Sequence, residues 1–337
     1  MGMNKYKLIV FGDEWDVYKV AYRDWIENPK ILYIPTFRPE GFLGMFQRIY
    51  LNPKLNAVVN LPWKWMWNKS ILRSVGTRKT CFLILDRWLR MEGGIALLPY
   101  LRKHYPDAVI VCYAQDLLEK IEDLYSKRAV DVDYVKRYAN LFVSYDKDDA
   151  ARYGILYHPT VYSPVQKGNG TGDFHYDLFF LGRDKGRLDK LVKICRAAKE
   201  RGLKCRFVML GVPQKDRIEC EGMEYENYSV PYMENLRCCA ESRCVVELLQ
   251  TQASSPTYRT WEAISLNRKL LTNQTVIKKE HVYDERYISV FHDVDDIDWN
   301  FVKKPIPFAD TNPFQEKIRP EALIRFMERE LKIEIER

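Results

Sequence analysis

Residues 163–187 read SPVQKGNGTGDFHYDLFFLGRDKGR. The first half is Gly-rich, carries one Pro and is poor in apolar side chains, which is the composition of a linker. The second half turns into the apolar run YDLFFLG, bounded by turn residues, and that pattern is a buried strand. It closes on a basic cluster, Arg183, Lys185 and Arg187. The stretch therefore divides the chain, and the architecture depends on what flanks it.

Upstream, KYKLIVFG (5–12), ILYIP (31–35), CFLILD (81–86), AVIVCY (108–113) and LFVSYD (141–146) alternate with amphipathic stretches such as IALLPYLRKHY (95–105) and DLLEKIEDLY (116–125). Downstream the alternation restarts. YDLFFLG is followed by a helix through KLVKICRAAKERG, then CRFVMLG (205–211), the short YENYSV, a helix over PYMENLRCCAES, CVVELL (244–249), a helix before KLLTN (269–273), and ISVF (288–291). Short apolar strands separated by helices imply parallel sheets covered on both faces. The expected fold class is α/β: two Rossmann-like halves, facing across a cleft. The expected domains are 1–163, a linker over 164–175, a second domain over 176–314, and a C-terminal segment over 315–337. PEALIRFMERELKIEI (320–335) makes that last segment an amphipathic helix. Ligands of open parallel sheets bind beyond the C-terminal strand ends.

Composition agrees with this. The chain has 337 residues, 47% apolar and 29% charged, which is globular and long enough for two cores. It has no apolar run of membrane-spanning length, and MGMNKYKLIVFGDEWD lacks the pattern of a secretory signal. The eight Cys show no metal-ligand spacing, so the expectation is a reduced, cytoplasmic protein with no metal site. A net charge of +7 suits an anionic ligand or surface, and it reads as too scattered for nucleic acid.

Three strand-to-helix turns of the second half carry candidate chemistry. At LGRDKGR, Gly182 permits close approach to the backbone, and Arg183 and Arg187 supply forks that fit phosphate; a plain basic turn has the same composition. No G-x-G-x-x-G follows this strand or the first one, which counts against a dinucleotide cofactor. At SVPYMENL (229–236), Tyr232 is a candidate for stacking on a nucleobase, and Pro231 equally marks a helix start. In QASSPTYRTWEAISLNRKLLTN (252–273), Ser254, Ser255 and Thr257 offer hydroxyls at a helix start whose free N–H groups attract anions. Glu262 is placed to accept from a ribose diol. Arg259 binds phosphate, orients that carboxylate, or forms an ordinary surface pair with it.

The chain resembles GT-B glycosyltransferases, in particular bacterial enzymes of capsule and lipopolysaccharide synthesis (a CgeB-like group). The residues that carry the likeness are YDLFFLGRDKGR, the Gln250 and Gln252 run into SPTYRTWEAISLNRKLLTN, and LFVSYDKDDAARYGILYHP (141–159). The resemblance implies a C-terminal helix that crosses back to the first domain. It also implies that Arg183, Arg187 and Thr257 contact the donor phosphates and that Glu262 holds the ribose. The commoner family pattern has two Glu about eight residues apart; here the earlier position is Ser254. No cofactor is implied beyond a nucleotide-diphosphate sugar as co-substrate, and catalysis in such enzymes is generally metal-independent.

Sugar transfer with inversion needs a base for the acceptor hydroxyl. Asp13, Glu14, Asp16, Asp86 and Asp116 all follow first-half strands; Asp13 and Glu14, in the first loop, are the candidates. LPWKWMWNKS (61–70) sets Trp among Lys. A helix beginning at Pro62 places Trp63 and Trp67 on one face, for core packing, an acceptor sugar, or peripheral contact with an inner membrane leaflet. The expected function is glycosyl transfer to a glycan or lipid-linked acceptor. The alternatives are a sugar-nucleotide epimerase or hydrolase of the same fold, or a non-catalytic glycan-binding protein.

Overall fold

The computed structural model describes residues 5–36, 39–68, 79–119, 130–165, 174–249, 254–306 and 312–337. It divides into two compact units, Met1–Pro159 with Pro320–Arg337, and Thr160–Arg319. The division falls at Pro159, ahead of the Gly-rich stretch, whose residues 166–173 lie outside the described residues.

The first unit holds a parallel sheet of β1 (Lys7–Phe11), β2 (Leu32–Ile34), β3 (Thr80–Leu85), β4 (Val109–Ala114), β5 (Leu141–Ser144) and β6 (Leu156–Tyr157), in the order β2-β1-β3-β4-β5-β6. β3 is buried along its whole length, because helices cover both faces of a parallel sheet. Five of these strands are the apolar runs of the sequence. β6 is a two-residue edge strand that no apolar run announces. The helix expected over 116–125 falls largely outside the described residues, and its described start is a turn.

The helix Pro320–Leu331 belongs to this unit. Beyond it the chain is extended. Tyr6 N donates to Glu334 O at 2.8 Å, and Glu336 N donates to Tyr6 O at 2.9 Å, so the C-terminus adds a bridge beside the first strand.

The second unit holds β7 (Tyr176–Arg183), β8 (Cys205–Leu210), β9 (Met223–Glu226), β10 (Ser242–Glu247), β11 (Lys269–Thr272) and β12 (Ile288–Val290). All are parallel, in the order β12-β11-β10-β7-β8-β9. Numbered within the unit this is the 3-2-1-4-5-6 order of Rossmann sheets, read from the other edge. Its core is apolar: Leu178 and Phe180 of β7 pack with Leu191 and Ile194 of the helix Leu188–Lys199 and with Val246 of β10. In each sheet the chain runs outward from its first strand, then returns to that strand's other side. The crevice at that reversal, beyond the C-terminal strand ends, is where such sheets bind ligands. In the second unit it lies between β7 and β10, and in the first between β1 and β3.

The Trp-rich segment departs from expectation. No α-helix starts at Pro62. Trp63 takes a left-handed φ of 54°, and a short 3₁₀ turn follows over Lys64–Asn68. The physical reason is Lys64: it turns inward, and its ammonium meets Glu92 at 2.7 Å and Asn60 Oδ1 at 3.1 Å, so the backbone tightens to deliver it. Trp67 lies against Phe46 and Tyr50, with ring centroids about 6 Å apart, while Trp63 stays exposed. The shared helical face of Trp63 and Trp67 is therefore not formed.

Candidate functional site

The helix Tyr258–Ser265 begins beyond the C-terminal end of β10. Thr257 is its N-cap, and the Thr257 hydroxyl accepts from Arg259 N at 3.2 Å. Ser255, just before it, is fully buried, and its carbonyl accepts from Gln274 Nε2 at 2.7 Å. The same fold of chain brings Glu262 inward, only 4% exposed.

Glu262 is held from two sides. Its Oε1 accepts from the Tyr232 hydroxyl at 2.8 Å. The Tyr232 proton is thereby committed, so the second contact of that oxygen, 2.7 Å from the Tyr162 hydroxyl, is one in which Tyr162 donates. Its Oε2 lies 3.2 Å from Arg259 Nη1, but accepts no well-directed hydrogen bond among the described residues. Burial, and then the Glu262 charge and the Tyr162 hydroxyl, push Tyr232 well above the usual phenol range. Tyr232 is thus a neutral donor, and its hydroxyl is spent on the carboxylate.

Arg259 acts through its neighbours in this arrangement. Nη2 donates to Leu181 O of β7 at 2.6 Å, and Nη1 donates to the buried Asn235 at 3.1 Å. Burial pulls its pKa down, yet the Glu262 carboxylate and other neighbours outweigh that and hold it above the ordinary arginine value. The guanidinium ties the helix to the end of β7 and sets the orientation of Glu262.

At LGRDKGR, Lys185 and Gly186 both take positive φ, 44° and 78°, which reverses the chain after β7. Arg187 then folds back across Gly182. A Cβ on Gly182 would stand 3.2 Å from Arg187 Nη2 and 3.1 Å from Phe180, so the bare backbone there leaves room for the guanidinium. Arg187 donates to Leu248 O at 2.8 Å, to Asp184 O at 3.1 Å and to Arg183 O. Burial, and then the charge of Arg259, lower its pKa. It thus bridges the C-terminal ends of β7 and β10, at the sheet's reversal. Arg183 stays exposed beside it.

Sequence reasoning passed over Glu247, the last residue of β10. It is buried, and it accepts from the hydroxyls of Thr257 at 2.5 Å and Thr272 at 2.6 Å, with Thr260 at 3.4 Å. The pairing register sets Thr272 directly opposite it. Burial raises its pKa, and the threonine hydroxyls only partly offset that. The available signal was a Glu inside the apolar run CVVELL. Tyr162 and Asn235 carried no comparable signal. Gln250 and Gln252 lie outside the described residues.

In the first unit, Asp13 follows β1 and is buried. Its Oδ1 accepts from Glu14 N at 2.7 Å and from the Thr36 hydroxyl at 3.2 Å, and its Oδ2 is 3.6 Å from Arg87 Nε. The backbone beneath it is fixed: the Tyr33 hydroxyl donates to Asp13 O at 2.9 Å, and Trp88 Nε1 donates to Gly12 O at 2.6 Å. Asp13 and Glu14 line a cavity of about 850 Å³ at the β1/β3 reversal, together with Asp86, Arg87 and Arg90. Glu14 is exposed there. Asp86 is occupied by a two-pronged contact from Arg90, 2.8 and 2.9 Å, and the Asp116 carboxylate accepts from Leu117 N at 3.0 Å. Among the described residues no group of three or more His, Cys, Asp or Glu is placed to hold a metal. No helix of those residues is long and apolar enough to cross a membrane.

No protein-family model matches the sequence, and no curated protein matches it. Solved structures match its fold. An alpha-glucosyltransferase, in complex with UDP and a 13-mer DNA containing a HMU base, aligns with a TM-score of 0.57 at 12% identity, over 97% of this chain and 99% of that one. A candidate UDP-N-acetylglucosamine 2-epimerase from Listeria monocytogenes aligns with a TM-score of 0.52 at 9% identity, over 98% and 97%. The fold of the chain is accordingly GT-B, with two Rossmann-like domains.

Proposed function

We propose that the chain is a glycosyltransferase that takes its sugar from a nucleotide diphosphate, with UDP as the first nucleotide to test. The observation that carries this reading is the buried carboxylate of Glu262, fixed by Tyr232 and Arg259 on a helix that opens beyond β10. A rigid carboxylate behind a helix N-terminus suits a ribose diol with phosphates above it. Oε2, which accepts no well-directed hydrogen bond among the described residues, is the oxygen assigned to that diol. Arg183 and the helix start at Thr257 face the diphosphate, and Arg187 braces the two strand ends. Stabilising the leaving diphosphate is where most of the catalysis lies. Asp13 is the proposed base, with Glu14 beside it. The acceptor is a glycan or lipid-linked sugar of cell-surface polysaccharide synthesis, as the likeness to CgeB-like enzymes implies, and neither metal nor cofactor takes part.

A second reading is favoured by the fold shared with the Listeria protein: epimerisation or hydrolysis of the sugar nucleotide without an acceptor. Calorimetric titration with UDP, GDP, CMP, dTDP and NAD tests the donor site in either case. Binding of one nucleoside diphosphate, lost in Glu262→Ala, supports it, and binding of none removes it. Incubation with the matching sugar nucleotide alone then separates the readings, because turnover without acceptor rules against the transferase.

A further inference from the structure

The helices Gly41–Tyr50 and Pro53–Val59 of the first unit are built inside out. The first buries only Gly44 and Gln47, and the second only Asn56. Asn56 donates to the carbonyls of Tyr50 at 2.7 Å and Asn52 at 2.9 Å, and accepts from Leu61 N at 3.0 Å. The apolar side chains are outside: Phe42 is 78% exposed, Ile49 54%, Val58 85% and Trp63 65%, with Met45 and Phe46 near half. A helix that faces water shows the reverse pattern. Contiguous apolar exposure of this kind marks an interaction surface.

The charge of the same segment selects the occupant. From Gly41 to Leu85 the sequence has no Asp or Glu and seven Lys or Arg, which equals the formal net charge of the whole chain, +7. The two helices themselves carry Arg48 and Lys54, while Lys69, Arg73 and Arg78 lie outside the described residues. Arg48 and Lys54 lie exposed among the apolar side chains, whereas Lys64 is turned inward to Glu92. A second copy of this face would set cations against cations, which opposes self-association. A bilayer interface with anionic headgroups satisfies both parts: phosphates meet Arg48 and Lys54, and the acyl boundary takes Phe42, Val58 and Trp63.

We propose that this surface docks on an anionic lipid bilayer, with the two helices lying in the headgroup layer. It is preformed, since the Tyr50 hydroxyl donates to Pro62 O and Trp67 packs on Phe46 and Tyr50. Docking does not depend on the nucleotide reading. One consequence does rest on that reading: Gly41, Gly44, Gln47 and Arg48 also line the cavity that holds Asp13, so a lipid-anchored acceptor is presented beside the proposed base.

The test is co-sedimentation of the full chain with vesicles of phosphatidylcholine, alone or mixed with phosphatidylglycerol. Binding to the mixed vesicles, weakened by salt, is expected. Phe42→Ser/Val58→Ser/Trp63→Ser and, separately, Arg48→Glu/Lys54→Glu are each expected to lower the partition at least about tenfold. All five side chains are exposed, so unchanged circular dichroism and melting are expected. Quenching of tryptophan emission by brominated lipid in the unsubstituted protein reads the same contact should a variant misfold. No sedimentation with the mixed vesicles, equal partition of the unsubstituted protein and both folded variants, absence of quenching, or a dimer in light scattering that the apolar triple variant dissolves would each overturn the proposal.

Discussion

Replacing Glu262 by Gln separates a carboxylate that recognises a ribose from one that only steadies the fold. Gln keeps the shape, and its carbonyl still accepts from Tyr232. It removes the charge facing Arg259 Nη1 at 3.2 Å. At an effective dielectric of about 20 that attraction is on the order of 5 kcal/mol, before the desolvation that offsets much of it. Arg259 retains its bonds to Leu181 O and Asn235, so the net loss of stability comes to about 2–4 kcal/mol. In a unit of this size that lowers the melting temperature by roughly 5–15 °C. The ribose contact adds a separate effect. Loss of charge-assisted acceptance from a hydroxyl costs about 2–3 kcal/mol, or roughly 30–150-fold in Kd. Calorimetry with UDP and a melting curve of the same preparation read both quantities. A variant that melts lower but binds UDP within about threefold of the parent refutes the donor-site reasoning and leaves Glu262 as an internal ion-pair partner.

Other predictions concern the buried groups that hold the sites. Burial raises the pKa of Glu247, so its contribution to stability is fully present below about pH 4.5, its unfolded value, and is lost as pH rises through the folded one. Glu247→Gln is therefore expected to gain melting temperature relative to the parent as pH rises above that point; a difference that stays flat with pH contradicts this. Lys269 donates to the carbonyls of Phe301, Val302 and Lys304, and burial brings its pKa down to about 8. The unfolded chain holds the extra proton between that value and its ordinary one, so this residue's contribution improves as pH rises from about 8 toward about 10.4. Lys269→Met should lose about 2–4 kcal/mol in denaturant titration at pH 7 and should lack the alkaline improvement. Gly12→Ala would set a methyl group 2.0 Å from the Tyr33 hydroxyl. Displacing that ring should cost about 2–3 kcal/mol in melting experiments, and a cost below about 1 kcal/mol would mean the ring moves aside freely.

How much of the site was legible depended on the range of the interactions. Thr257 as N-cap, the helix behind it, and Gly182 before an arginine cluster were all readable, because capping, hydroxyl clusters and strand-end glycines are local in sequence. Arg187 was readable as a candidate but not in its posture. Its reach to Leu248 O spans 61 residues and exists only because β10 lies beside β7. Tyr232 was read as a stacking surface, yet its hydroxyl is committed to Glu262, 30 residues on, and to Tyr162, 70 residues back.

The sequence by itself determined the α/β class, the restart of the fold near residue 176, and the strands that become β1 to β5, β7, β8 and β10 to β12; the edge strand β9, Met223–Glu226, alternates half-buried and exposed residues and only its end overlaps the run YENYSV. Parallel strands buried on both faces must be continuous apolar runs, and such runs survive in the sequence as a one-dimensional pattern. Tertiary structure alone decided the strand order, the crevices that gather Glu262 with Arg259 and Tyr232, and the inward turn of Lys64 that replaces the expected Trp helix. It alone also showed that the helices at Gly41–Val59 bury amides and expose phenylalanine and valine. Periodicity announces that a helix has two faces. Which face meets the protein is settled only by what packs against it.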